Sequence, residues 1–118
     1  MTLQEFYESI NGDYKGTVMR MMNREAMVTK FLGKFLATTD YDDMEQALDA
    51  GDYETAFRAS HNLKGMALNL GLTKLGNSGS ALCDTMRHGA PTVDISELRA
   101  QVAADYAETV SAIKDFLG

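Results

Sequence analysis

Apolar residues fall along the chain in stripes of helical period, and most stripes are bracketed by helix start and stop signals. Thr2 with Glu5 forms a capping box ahead of Leu3, Phe6, Tyr7 and Ile10, and Asn11-Gly12 ends that short element. A second short piece, about 13 to 22, carries Val18, Met19, Met21 and Met22, which the pattern predicts as gap-fillers under a short docking helix. Asn23 is placed to cap a helix over about 24 to 38, with Met27, Val28, Phe31, Leu32 and Phe35 on one side. After the acidic run Asp40 to Glu45, predicted as a solvated loop, Asp42 or Asp43 starts a short helix that Gly51 closes. Asp52 caps a helix running to Leu70, and Gly71 stops it. The stripe Leu72, Leu75, Gly76, Gly79, Leu82, Cys83 and Met86 predicts a helix over 72 to 88, ended by Gly89 and Pro91. Asp94 and Glu97 suggest a capping-box variant for a last helix reaching 117.

The four long segments, 24 to 38, 52 to 70, 72 to 88 and 94 to 117, joined mostly by short connections, predict an all-α, antiparallel up-down four-helix bundle with additional short N-terminal helices. No segment shows the period-two alternation of a half-buried strand. At 118 residues the chain is expected to form one domain over 1–118. A formal charge of -6 with scattered Lys and Arg excludes a phosphate-backbone footprint, so no nucleic acid is expected. No apolar run approaches the roughly 20 residues that span a bilayer, so no membrane partner is expected either. The opening Met1-Thr2-Leu3-Gln4-Glu5 lacks the basic and apolar regions of a secretory signal, and Cys83 has no second cysteine to pair with; both point to the cytoplasm. One Cys and two His lack the spacing of a zinc site, so no metal is assigned, and Cys83 on its apolar stripe is predicted to be a buried, inert thiol.

The chemistry concentrates on the helix from Asp52 to Leu70. With Ala56 at the origin and about 100° per residue, Tyr53, Ser60, Leu63, Ala67 and Leu70 lie within about 60° and form its core face. His61 lies about 140° away, toward solvent, in company with Phe57, Leu68, Glu54 and Gly65, and Lys64 stands at the edge at about 80°. A neutral imidazole here is a nucleophile with a cation one turn away and a glycine where a side chain would crowd it. It suits a phosphoryl acceptor. His88 sits at a helix end with no such company. Gly76 and Gly79 inside an apolar stripe point to a close helix crossing.

His61-Asn62-Leu63-Lys64-Gly65, with Gly51-Asp52 before it and Asn69-Leu70-Gly71 after it, resembles the H-x-x-K-G pattern of histidine-containing phosphotransfer (HPt) domains, most closely over about 31 to 88. With Lys at roughly 6% and Gly at roughly 7% of residues, two histidines would meet that pair by chance about 1% of the time. The resemblance implies a phosphorelay carrier, not an enzyme, in two-component signalling. In it His61 accepts a phosphoryl group from a receiver-domain aspartyl phosphate, Lys64 stabilises the phosphate and Gly65 gives clearance. Phe57, Leu68, Glu54 and Arg58 are the candidates for partner contact. The implied partners are response-regulator receiver domains and a hybrid histidine kinase. No cofactor of its own is implied, since the divalent metal belongs to the receiver, and a monomer is expected. Many members carry Gln or Glu where this chain has Cys83; a carboxylate there, orienting the imidazole, marks the acceptor domains of chemotaxis-type kinases. Its absence favours a receiver-coupled relay. The competing reading is a helical interaction adaptor that has the fold and transfers nothing.

Overall fold

Local capping sets several of the helix boundaries. In the computed structural model, which describes all residues 1–118, the chain forms α1 (Leu3–Ser9), α2 (Tyr14–Arg20), α3 (Glu25–Leu36), α4 (Asp40–Ala50), α5 (Tyr53–Asn69), α6 (Thr73–Asp84) and α7 (Ser96–Leu117). The Thr2–Glu5 capping box is closed in both directions, at 2.8 and 3.1 Å. Asp52 accepts from the Thr55 amide at 3.2 Å and so opens α5. Gly51, at φ +70°, ends α4 in the left-handed conformation that glycine adopts without strain.

Elsewhere the ends differ from the sequence expectation. Asn23 is itself left-handed at φ +61°, so Arg24 becomes the N-cap of α3 and no side chain caps it. The acidic run is not a loop: Asp40, Asp42 and Asp43 form the first turn of α4, where carboxylates complement the positive end of the helix dipole. α6 stops at Asp84, and residues 85–88 form turns. Asp94 makes no capping box with Glu97; its Oδ1 accepts from the Ser96 amide at 2.9 Å and the Ser96 hydroxyl at 2.6 Å, so α7 begins at Ser96.

The fold is an all-helical bundle. Leu68 meets Gly76, Lys64 faces Gly79, and the Phe57 carbonyl lies near the Cys83 thiol, so α5 and α6 run antiparallel. Asn62–Asp40 contact and the short Gly51-Asp52 link make α4 antiparallel to α5 on its other side. Lys74–Glu108 joins α6 to α7. Tyr41 stacked on Tyr106 at 4.0 Å, with Arg99 paired to Glu45 and Asp49, joins α7 back to α4. Three walls of the bundle are thus α5, α6 and α7, and α4 and α3 together close the fourth. The 24 to 38 segment is not the fourth strut by itself: the 22-residue α7 is too long for the 11-residue α4 to cover, and the 12-residue α3 packs on it beyond α4 through Phe35–Tyr106 and Gly33–Leu117.

Buried side chains from α1, α3, α4, α5, α6 and α7 merge into one core, with Leu63, Leu75, Leu82, Val28 and Val102 fully enclosed. The buried face of α5 is Ala56, Ala59, Ser60, Leu63 and Ala67, and all but Leu63 are small residues that let α4 and α6 approach closely. The first 22 residues close one end of the bundle. The Tyr7 hydroxyl donates to the Leu70 carbonyl at 2.6 Å, the Asp13 amide to Gly71, and the Arg20 guanidinium to the Leu68 and Asn69 carbonyls. Of these, the Asn69 and Leu70 carbonyls at the end of α5 have no other donor. Met21 is half-buried beneath this cover, but Met19 and Met22 face solvent, so they fill no gap.

Candidate functional site

Helix α5 presents one face to solvent, and His61 stands near its middle, exposed. Its core-facing neighbours Ser60 and Leu63 anchor that stretch of helix, so the imidazole projects from a rigid base. One turn earlier Phe57 stacks on the His61 ring, with centroids 5.9 Å apart and planes 26° from parallel. Phe57 is half-buried and packs against the core, so it is less free than a purely solvent-facing residue.

Charges are distributed unevenly around the ring. Arg58 pairs with Glu54 at 3.0 Å, an exposed i,i+4 pair worth only a few tenths of a kcal/mol and easily exchanged for a partner's charges. Arg87 pairs with Asp84 at 2.7 Å, and the contact raises its pKa. Lys64 makes no such pair. Its stem passes Gly79 of α6, where even an added methyl group would sit 3.7 Å from Lys64 Cβ, and its ammonium is left available one turn beyond His61.

Gly65 is exposed, and a Cβ built there would meet nothing within 4 Å. A side chain at 65 would therefore leave this fold undisturbed. Leu68, two turns beyond His61 and 43% exposed, rests in the notch left by Gly76, as the glycines in the α6 stripe foretold. His61, Lys64, Gly65, Phe57, Leu68, Glu54 and Arg58 thus share one helix face, whereas His88 lies in the turns beyond α6.

Cys83 is fully buried, and its thiol donates weakly to the Phe57 carbonyl, 3.9 Å away, instead of reaching the imidazole. The sequence reading passed over Arg87, whose guanidinium lies 5.8 Å from the Phe57 ring centroid. No helix stripe could have shown it, because Arg87 lies in the turns beyond α6.

No three His, Cys, Asp or Glu side chains converge on a cation-sized site, and no helix is long and apolar enough to cross a membrane. The surface hollows lie elsewhere, one between α4 and α5 around Asp43, Asp52 and Arg58, another beside α3 at Phe31 and Met66. His61 stands on an open helix face and not in a cleft. An accessible nucleophile without an enclosing pocket matches a reaction whose other half is brought by a macromolecular partner.

A family model described as Hpt domain matches residues 30–115. No curated protein and no solved structure matches the chain.

Proposed function

The chain belongs to the Hpt domain family, matched over 30–115 of its 118 residues, and is a phosphotransfer carrier of two-component signalling; from that premise we propose that His61 is its phosphoryl acceptor and that receiver domains are its donors and acceptors. The observation that carries this reading is the setting of His61: an exposed imidazole with an unpaired lysine one turn on and open space at Gly65.

In the forward step the neutral imidazole attacks phosphorus through Nε2. An N–P bond forms as the P–O bond to the receiver's aspartyl carboxylate breaks, and the carboxylate leaves with the bonding pair. The Nδ1 proton exchanges with water. The reverse sequence delivers the group to a second receiver. Transfer of this kind is mostly positioning and charge stabilisation around a loose transition state. Lys64 supplies a cation to the phosphoryl oxygens, and the receiver brings the divalent metal and the enclosing pocket. Phe57 and Leu68 give the partner apolar surface to cover, at roughly 25 cal/mol per Å², and water is expelled from the reacting groups as they are covered. Glu54 and Arg58 lie at the rim of that contact. The chain then acts as one cytoplasmic unit, a carrier and not an autonomous enzyme, with a hybrid kinase upstream.

The test is incubation of the purified chain with phosphorylated candidate receivers. Expected is label that is lost in acid, survives alkali, is absent from His61→Gln and persists in His88→Gln. Label retained by His61→Gln, or binding of receivers without any transfer, would replace this reading, the second outcome by the adaptor.

A further inference from the structure

An exposed histidine in the middle of a helix has rotamer freedom, and in-line attack requires Nε2 to point along one direction. Something must hold the ring. No side chain of α6 hydrogen-bonds the His61 ring, and Cys83 spends its thiol on the Phe57 carbonyl. Within the chain the ring that the imidazole meets is Phe57, at a separation and tilt typical of offset aromatic pairs.

Phe57 is itself held. Its flank packs against the core, and the Arg87 guanidinium lies over its ring at 5.8 Å. Arg87 in turn is tied to Asp84 at 2.7 Å. Asp84, Arg87, Phe57 and His61 therefore form a continuous series of contacts from the end of α6 to the nucleophile.

We propose that Phe57, clamped by Arg87, is the positioning residue of His61 and takes the place of a hydrogen-bonding side chain from α6. The proposal rests on His61 being the phosphoryl acceptor, and it assigns Phe57 a part beyond partner contact. Arg87 acts through Phe57; engaged with Asp84 and the aromatic face, it is not a phosphate ligand.

A docking residue and a positioning residue leave different traces. Loss of docking raises KM, whereas loss of ring orientation lowers kcat. Phe57→Leu keeps most of the apolar surface and removes the stack; Phe57→Tyr keeps the ring. Arg87→Ala and Arg87→Lys remove and retain the cation over the ring, at a surface position where the fold is not at risk.

Two readouts apply. The first is the proton resonances of the His61 imidazole, which lie upfield while Phe57 shields them. The second is phosphorylation, measured both with phosphoramidate, which needs no docking, and with a phosphorylated receiver. Phe57→Leu is expected to move the His61 resonances downfield and to slow both reactions severalfold, with receiver KM changed by less than about twofold. Phe57→Tyr and Arg87→Lys should stay near wild type, and Arg87→Ala should fall between. Unmoved His61 resonances in Phe57→Leu, or a raised KM with unchanged kcat, would overturn the proposal. If wild-type protein takes no phosphoryl group from either source, the phosphorelay reading fails, while the resonances still decide whether the stack orients the ring.

Discussion

Leu68 of α5 lies in the notch that Gly76 leaves in α6: a Cβ at 76 would overlap Leu68 Cδ2 and come within 3.4 Å of the Leu68 amide nitrogen. The overlap reaches Leu68 Cγ as well as Cδ2, while the amide nitrogen is only in ordinary van der Waals contact, so Leu68 has to leave the notch. Gly76→Ala should thus destabilise the fold by about 1–2 kcal/mol, because overpacking outweighs the roughly 1 kcal/mol that alanine gains in helix propensity. Urea unfolding measures this. An unchanged midpoint would mean the two helices part without cost.

Gly65 is the opposite case, since a side chain there meets open space. Gly65→Gln should hold or raise stability by up to about 0.5–1 kcal/mol. It should nonetheless cut transfer from a phosphorylated receiver strongly, because the side chain stands where the partner's rim approaches. Normal transfer by this variant would remove the steric role of Gly65.

These two glycines mark what a sequence can and cannot disclose. The spacing His61, Lys64, Gly65 lies within one helix, so a wheel drawn on α5 suffices to put His61 outside and Leu63 inside, as found. Arg87 over Phe57 and the antiparallel register of α5 on α6 depend on how two helices pack, and no stripe on either alone specifies that. The division of one bundle wall between α3 and α4 was hidden for a similar reason. Each has its own apolar stripe, and only the length of α7 shows that both are needed to cover it. Where competing local bonds decide a boundary, as between Asp94 and Ser96, the residue types allow more than one cap.

Tyr7 links stability to alkaline pH. Burial pushes its hydroxyl up to about 12, while it donates to the Leu70 carbonyl. In the unfolded chain it titrates near 10. The folded pKa is the higher, so this contribution is fully present below about pH 10 and is lost as pH rises from 10 through 12. Between pH 9 and 11.5 wild type should lose about 2 kcal/mol that Tyr7→Phe does not lose. At pH 7 the same variant should be less stable by about 1 kcal/mol, the value of the missing hydrogen bond. Parallel pH profiles for the two proteins would show that the hydroxyl ionises as freely folded as unfolded.

Docking and folding should separate at two leucines of α5. Leu63 is fully buried, so Leu63→Ala should cost about 2–5 kcal/mol in stability. Leu68→Ser, at a half-open position, should cost much less and weaken receiver affinity instead. Calorimetric binding beside thermal melts distinguishes them. Equal receiver affinity for wild type and Leu68→Ser would take Leu68 out of the interface.

Lys64 is the site's test of electrostatics. Arg58 and Arg87 already have carboxylate partners, so neither can meet a phosphoryl group without giving one up, whereas Lys64 can do so at once. A charge-assisted bond to phosphate is worth about 1.5–3 kcal/mol. Lys64→Ala should therefore slow transfer, or shorten the lifetime of the phosphorylated chain, by roughly ten- to a hundredfold. The fold should be nearly unaffected, because only the lysine stem packs, near Gly79. Lys64→Arg should recover most of the loss, since it restores the charge at similar reach. Rising salt should narrow the gap between wild type and Lys64→Ala in the free, exposed state and less so within the docked complex, where solvent is excluded. Wild-type transfer rates and phosphate lifetimes in Lys64→Ala would reduce Lys64 to a solvated surface residue and leave His61 without a phosphate-binding cation of its own.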